Sequence, residues 1–425
     1  MRYVIVGSGP AGLSAIEAIR EVDSEGEVIL ITAERFVGYS KPLITYLLGG
    51  RVTKENMYYR TEERLREINV EARSATKVEK VLVDERAVVT HTGEKVAFDK
   101  LLLAVGGRPF VPKIEGLDQK EGIFTFTTWE DEERIEEYVK KRGITKAVVL
   151  GGGLIGLKTA EALMDLGVKV TIVEVADRIL PVTFDKKASE MIERALETLG
   201  CEVITNDTVV EVKGRKAVSS VVLKSGKEIP TGLLVIAIGV RPNVEFLKGS
   251  GIEVNRGILV NERMETNVEG IYAAGDCAEF YDLVDGQRKV IAIWPVAVAQ
   301  GRVAGYNMAG RNVRYPGSIP MNSVEIAGVP TVSVGHSNVE GEEYEIFTYE
   351  DGRTYKKVVI KDNKLVGAIF VNDIDRAGIY TGLILQKLDV SSFKEKLLAE
   401  DFGLVYLPRE FRKKMLEGEM RIWLE

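Results

Sequence analysis

The sequence predicts an α/β chain of two parallel-sheet domains, the second inserted into the first, followed by a smaller α+β domain. Three observations carry this. A short apolar run leads into a glycine-rich turn and a helix within the first twenty residues. The same order returns a domain-length later, with Gly151 in the place of Gly7. A strand ending in Gly-Arg-Pro or Val-Arg-Pro occurs near 101–109 and again near 233–242, as it would where a chain leaves a domain and re-enters it.

Residues 3–6 form an apolar run of strand length, followed by Gly7-Ser8-Gly9-Pro10-Ala11-Gly12 and a stretch of helical spacing over 13–19. A second apolar run, 28–31, ends near Glu34. Strand, glycine turn, helix, strand and acid is the order a dinucleotide site needs. Gly7 permits the tight turn, Gly9 lets a diphosphate approach the backbone, and Gly12 lets helix and strand pack closely. The diphosphate is expected on the free N–H groups at the helix N-terminus, with Glu34 accepting hydrogen bonds from the adenosine ribose. The second copy runs from 147–150 through Gly151-Gly152-Gly153-Leu154-Ile155-Gly156 to a helix reaching Leu166, then a strand over 168–173 that ends at Glu174. Both units are therefore expected to be Rossmann-like. Two such sites imply a bound redox cofactor and a second nucleotide that comes and goes.

Between the copies, 57–68 reads as a surface helix with its neighbouring turn, and 77–90 with 95–98 as β-hairpin material around Thr92-Gly93. The stretch 128–142, dense in Glu and Lys, reads as a solvated helix and not as a binding face. The crossings between domains are expected at 104–115 and 237–243. The domains are then 1–113 with 240–314, the inserted 114–239, and 315–425. After the return, 270–276 is a strand ending in Gly275-Asp276, and 294–308 is a helix. The last domain shows antiparallel strands at 332–334, 344–347, 356–360 and 366–371, then helical segments.

A chain of 425 residues is too long for one core. Its 45% hydrophobic and 28% charged content is ordinary for a soluble globular protein. No run of about 18 apolar residues is present, and the first strand starts at once, so neither a membrane span nor a signal peptide is expected and the location is cytoplasmic by default. A net charge of −7 argues against a nucleic-acid partner. Cys201 and Cys277 make no disulfide framework and no metal site, and each is expected to be a small packed residue. His91 and His336 show no triad or metal context. Abundant Glu and Lys beside few Gln and Cys lean toward a thermophilic source.

With both glycine motifs, the paired crossings and Gly275-Asp276 in hand, the chain resembles the pyridine-nucleotide–disulfide oxidoreductase superfamily, strongly over about residues 1–310 and in outline beyond. The resemblance implies FAD in the first site, NAD(P)H in the inserted domain, and a homodimer packed through the C-terminal domain. Carried over by position, Gly7, Gly9, Pro10, Ala11, Gly12 and Glu34 would bind the FAD diphosphate and ribose, and Asp276 beside Gly275 its ribityl chain or phosphate. Ala104 and Gly106 would line the flavin ring, with Trp294, Pro295 and Val296 at its edge. The resemblance further implies FAD-side contacts at Arg35, Pro42, Val78 and Arg108. On the nucleotide side it implies Gly151, Gly153, Leu154, Ile155, Gly156, Glu174 and Gly239.

The disulfide-reducing members carry a cysteine beside the flavin, but here Gly38-Tyr39-Ser40-Lys41-Pro42-Leu43 holds none, so a thiolate relay is not expected. That string is similar to the NAD(P)H:rubredoxin reductases, the FAD part of NADH-dependent nitrite reductases and related NADH oxidases, in which Lys41 would contact an FAD phosphate. Glu174 suits a ribose 2′-hydroxyl and repels a 2′-phosphate, with Arg178 near enough to soften that repulsion, so NADH is favoured over NADPH. The expected activity is hydride transfer from NADH to FAD, then electron transfer to a small iron–sulfur carrier such as rubredoxin. Dioxygen reduction, or service as the FAD subunit of a larger redox complex, are the alternatives. Relatives have a glutamate where this chain has Lys158 and some have a lysine where it has Tyr46. Either Lys158 is a surface residue or it sets positive charge near the flavin as a catalytic group.

Overall fold

The computed structural model describes residues 1–416. The first sheet is parallel throughout, in the order Ile271–Ala273, Lys100–Leu103, Arg2–Val6, Glu27–Ile31, Val70–Arg73. Its middle strand buries Val4 and Ile5 completely, as a sheet covered on both faces requires. Helix α1 (Pro10–Arg20) leaves this strand through the first glycine turn. Pro10 suits its opening turn because the ring presets φ and the missing N–H costs no helical bond. Helix α2 (Ile44–Leu48) follows. The helix and neighbouring turn expected over 57–68 are separate elements. Thr61 accepts the Arg64 N–H at 3.2 Å to start α3 (Glu62–Glu67), whereas Met57 ends a separate turn, Lys54–Met57, and is wholly buried. Val78–Leu82, Ala87–Thr90 and Lys95–Ala97 make the expected antiparallel unit.

Gly107–Pro109 pairs antiparallel with Val240–Pro242, Arg108 facing Arg241. The chain thus leaves and re-enters the first unit along one two-stranded ribbon, and the second parallel sheet is an insertion. That sheet runs Glu202–Ile204, Lys169–Val173, Lys146–Leu150, Leu233–Ile236, Ile123–Thr125. Helix α4 (Trp129–Arg142) carries a capping box of Thr128 and Asp131, acids in its first turn, bases in its last, and Gly143 at φ +60° beyond it. Such termini stabilise a helix by about 0.5–2 kcal/mol each. The helix is not solvated all round as expected. Trp129, Glu132, Ile135 and Val139 are buried, because three- and four-residue spacing aligns them into a stripe that the overall Glu/Lys density hides. Helices α5 (Leu154–Asp165) and α6 (Lys186–Thr198) complete the insertion.

Helix α7 (Trp294–Met308) lies on α1 at very close range. A Cβ on Gly301 would sit 2.2 Å from the Ala11 carbonyl oxygen, and one on Gly305 2.3 Å from that of Ala15. The last sheet is antiparallel, in the order Met321–Ile326, Val329–Gly335, Lys364–Val371, Tyr355–Lys361, Glu345–Glu350. Met321–Ile326 escaped the sequence reading because Asn322, Ser323 and Glu325 interrupt its apolar run. Helices α8 (Ala377–Leu385) and α9 (Arg409–Leu416) follow. The inserted domain's core continues into α2 and the last sheet through the fully buried Leu48, Ile326 and Ile369. Of the third expected domain, residues 417–425 lie outside the described residues. No helix among the described residues is long and apolar enough to cross a membrane.

Candidate functional site

The two glycine turns share one geometry. Gly7 has φ +114° and Gly151 φ +116°, and a Cβ on either would lie 2.1 Å from the Ala104 oxygen or 2.4 Å from the Ala237 oxygen. A Cβ on Gly12 would meet the Gly7 oxygen at 2.0 Å, and one on Gly156 the Gly151 oxygen at 1.9 Å. Above Gly9 and Gly153 the space is open, with nothing within 4 Å. No side chain caps α1 or α5. In each turn, uncapped helix N–H groups thus face a cradle that a side chain would fill, which is what a diphosphate needs.

On the first side, the fold brings several predicted residues to this turn. Gly275, at φ +81°, approaches so closely that a Cβ there would be 3.1 Å from the Ala11 Cβ; its N–H donates to Gln300 Oε1 at 2.9 Å. Beside it, the part-buried Asp276 carboxyl takes no hydrogen bond from the described residues. Burial pushes its pKa up, while Lys41 pulls it the other way. Trp294, Pro295 and Val296 open α7, and the Trp294 ring meets the edge of Tyr59 at 5.0 Å. Ala104 is bonded to the Val6 carbonyl at 2.8 Å, and Gly106, at φ +62°, has open space around it. Pro42 lies in the turn Lys41–Leu43, and Val78 starts the small antiparallel sheet with its side chain buried. The Lys41 ammonium sits 2.6 Å from Glu34 Oε1, and the Tyr39 hydroxyl donates to Glu34 Oε2. Two predicted contacts are committed elsewhere by opposite charge. Arg35 pairs with Glu133 and covers the Phe36 ring, and Arg108 pairs with Glu245.

On the second side, the Glu174 carboxylate is buried and folds back on the turn. It accepts the Gly152 N–H at 2.6 Å and the Ala176 N–H at 2.8 Å. Arg178 is turned to Asp177 at 2.8 Å. Leu154 and Ile155 begin α5, and Gly239, at φ +111°, has open space around it. Lys158 is not a solvent-facing lysine. Its side chain is 13% exposed, pairs at 2.5 Å with Glu161 (6% exposed), lies 4.8 Å from the Tyr46 ring and donates to the Glu325 carbonyl at 3.2 Å. The pair brings no net charge to its surroundings.

Sequence reasoning missed three features. Tyr39 stands within the stretch 38–43, and an aromatic ring between Gly38 and Ser40 is its only signal in the sequence. Glu132 is buried on α4, and its carboxyl is pushed up to about 7 by burial first and then by Glu136. His336, expected to have no metal context, lies 2.8 Å from the buried Asp282 and 3.9 Å from Asp285. The Lys289 ammonium stands among them, 2.9 Å from Asp282, 2.6 Å from Asp285 and 3.2 Å from His336, so the cluster holds its own cation. Residues this far apart in sequence leave no local signal. The cysteines are packed as expected: Cys201 and Cys277 are buried and free, and burial pushes both thiols up to about 12.

Residues 1–301 match the model of the pyridine nucleotide-disulphide oxidoreductase family, and residues 320–388 that of the rubredoxin NAD+ reductase C-terminal domain. Over 411 residues, 95% of this chain and 96% of the relative, the sequence is 34% identical to the NADH-dependent phenylglyoxylate dehydrogenase subunit epsilon of Aromatoleum evansii. It is 34% identical to an NADH oxidase of Methanocaldococcus jannaschii over 74% of this chain and 71% of that one. The structure of an NAD-dependent persulfide reductase from A. fulgidus superposes with a TM-score of 0.86 at 27% identity, covering 98% of this chain and 84% of that one. With two uncapped glycine turns in one chain and these matches over most of its length, the protein belongs to the pyridine nucleotide-disulphide oxidoreductase family, as an NAD(P)H-dependent flavoprotein oxidoreductase.

Proposed function

We propose that this chain passes a hydride from NADH to FAD and releases the electrons singly to an iron–sulfur acceptor. The observation that carries the reading is the pair of glycine turns of equal geometry, one in each parallel-sheet unit, each with open space over its second motif glycine. FAD fits the first turn, where the α1 N–H groups are uncapped and the Asp276 carboxyl is part-buried without a hydrogen bond. When bound, FAD supplies the redox chemistry, taking a hydride and giving up electrons one at a time. The chain's own residues bind and orient. Gly9 and the α1 N-terminus receive the diphosphate, Glu34 accepts from the adenosine ribose, and Lys41 offers positive charge to a phosphate. Asp276 faces the ribityl chain, and Ala104, Gly106 and residues 294–296 shape the ring site. Gly153 and the α5 N-terminus receive the NADH diphosphate. Glu174, held by two backbone N–H groups, keeps negative charge where a 2′-phosphate would come, and Arg178 is occupied by Asp177. These supports favour NADH. Lys158, neutralised by Glu161, holds α5 against Tyr46 and the last sheet.

Neither cysteine supplies a thiolate relay, since both are buried with raised pKa values. The match of residues 320–388 to a rubredoxin reductase domain supports a small iron–sulfur protein as acceptor. A second reading has its own support. The end-to-end likeness to a dehydrogenase subunit favours an acceptor housed in partner subunits. The exposed edge strand Glu345–Glu350 is the face we assign to a second copy of the chain.

The test is anaerobic titration of the purified yellow protein, expected to hold about one FAD per chain, with NADH. Bleaching by NADH followed by rubredoxin reduction faster than oxygen consumption supports the first reading. Bleaching with oxygen as the faster acceptor makes the chain an oxidase, and FAD content without bleaching favours the subunit. A colourless protein that takes up no FAD ends all three.

A further inference from the structure

We propose that Tyr39 is a positioning residue that couples occupancy of the FAD ribose site to the seating of α4, the first helix of the inserted domain. The proposal rests on the reading above that Glu34 meets the ribose.

Tyr39 is buried to 3% exposure between the two units. Its hydroxyl donates to Glu34 Oε2 and accepts the backbone N–H of Trp129 at 3.2 Å. Trp129 is the first residue of α4 and is itself 1% exposed. Lys41 closes the node, with its ammonium 2.6 Å from Glu34 Oε1, 3.3 Å from the Tyr39 hydroxyl and 3.4 Å from the Thr127 carbonyl. The rings lock the same junction, as Trp129 stacks on Phe36 at 4.2 Å and meets the edge of Tyr39 at 5.6 Å. The Arg35 N–H donates to Glu130 Oε1 at 2.6 Å, so the backbone around Glu34 is bonded to α4 a second time.

The chemistry of the node allows three parties at once. A phenol has one proton to give and can still accept. Tyr39 gives its proton to Glu34 and takes the orphan N–H that every helix start exposes. Burial and the Glu34 charge raise the Tyr39 pKa, so the phenol stays protonated and keeps donating. A carboxylate has about four acceptor positions. Tyr39 and Lys41 fill two, which leaves others for ribose hydroxyls. A ribose bonded to Glu34 holds its carboxylate in one rotamer, and that rotamer fixes the Tyr39 hydroxyl and with it the α4 N-terminus. Such coupling is reciprocal, so a seated α4 also tightens FAD. With the first cofactor in place, the arrangement thus holds α4 more firmly in position for NADH.

The test is amide hydrogen exchange over residues 125–135 in FAD-loaded and FAD-stripped protein, with FAD affinity followed by flavin fluorescence. In the parent chain, FAD is expected to slow exchange at Trp129 and its neighbours about tenfold, a usual coupling. In Tyr39→Phe, which keeps the ring and removes only the hydroxyl, FAD still binds but the slowing shrinks to less than about twofold. Glu34→Gln reads the same link from the other end and replaces Tyr39→Phe if that variant fails to fold. Parent protein that binds FAD without slowed exchange overturns the inference, as does a variant that keeps the full effect. A parent protein that takes up no FAD overturns the cofactor reading and this inference together.

Discussion

The two glycine turns have nearly the same backbone, yet their acids do opposite things. Glu174 folds inward and accepts the Gly152 N–H, whereas Glu34 points away from its turn to Tyr39 and Lys41. The two acids stand at different places after their strands: the Gly7 N–H bonds Ile31 and the Gly151 N–H bonds Val173, so Thr32 takes the place of Glu174 and Glu34 lies two residues further on. The residue between the first two motif glycines meets that shared place. In the second turn it is Gly152, where an added Cβ would come within 3.1 Å of the Glu174 Cβ. In the first it is Ser8, whose buried hydroxyl bonds Thr32 at 3.1 Å and fills that space. Ser8 and Thr32 thus close the first turn as Gly152 and Glu174 close the second, and Glu34, two residues beyond, is left to connect with the neighbouring domain. That contrast suits an exchangeable nucleotide at the second turn and a retained cofactor at the first.

The comparison extends to the residue two places beyond the third glycine, Ser14 in α1 and Lys158 in α5. Lys158→Glu would set a second carboxylate against the buried Glu161 and is expected to lower stability by about 3–5 kcal/mol, the usual cost of breaking a buried pair. Thermal melts of the FAD-loaded protein measure it, and an unchanged Tm would mean that the pair is open to water.

The turns themselves should separate by ligand. A Cβ at Gly12 or Gly156 strikes backbone oxygen, so Gly12→Ala should cost about 3 kcal/mol and FAD retention, and Gly156→Ala a similar amount and NADH binding with FAD kept. Gly153→Val, into open space, should abolish NADH binding and leave the Tm of the FAD-loaded protein where it was. Equal losses of both ligands in every variant would erase the distinction between the sites.

Glu132, on the helix that Tyr39 caps, gives the pH dependence. Its folded pKa of about 7 lies above the ordinary carboxylate value of 4.5, so the folded state binds the proton more tightly. Its contribution to stability is greatest below pH 4.5, falls as pH rises toward 7, and stays low above that. Glu132→Gln should therefore raise the Tm at pH 8 by an amount worth about 3 kcal/mol and change it far less at pH 5. A gain of equal size at both pH values would show that proton linkage is not its cause.

The smallest effect concerns the second acid. Glu174→Ala should raise the KM for NADH about tenfold, as loss of a hydrogen bond to a charged group does, and narrow the gap to NADPH without changing FAD content. Unchanged kinetics with both nucleotides would place the ribose elsewhere.

Much of this architecture was legible from residue order. Both turns, the inserted domain and α7 could be read because each carries a recurring local pattern: a spaced set of glycines, a repeated strand ending in Arg-Pro, or an apolar run of helical length. At Gly12 and Gly156 a Cβ would hit a carbonyl five residues back, so the spacing of the motif shows in the sequence, and an apolar run of strand length has few other uses. The strand Met321–Ile326 and the buried stripe of α4 were harder, since mixed polar residues diluted the pattern that announces burial.

What the sequence by itself determined is which segments form the two nucleotide turns, that a second unit interrupts the first, and that the stretch 38–43 holds no cysteine. Only the tertiary structure decided which partner each charged group would have. It put Lys158 on Glu161 and Tyr46, Glu34 on Tyr39 and so on Trp129, Glu132 out of water, and His336 beside Asp282. The reason is physical. Sequence periodicity tells which face of an element is apolar, but the free energy of a charge depends on distance and burial. Between elements tens to hundreds of residues apart, as for Lys158 and Tyr46, Tyr39 and Trp129 or Asp282 and His336, those are fixed only when the domains pack.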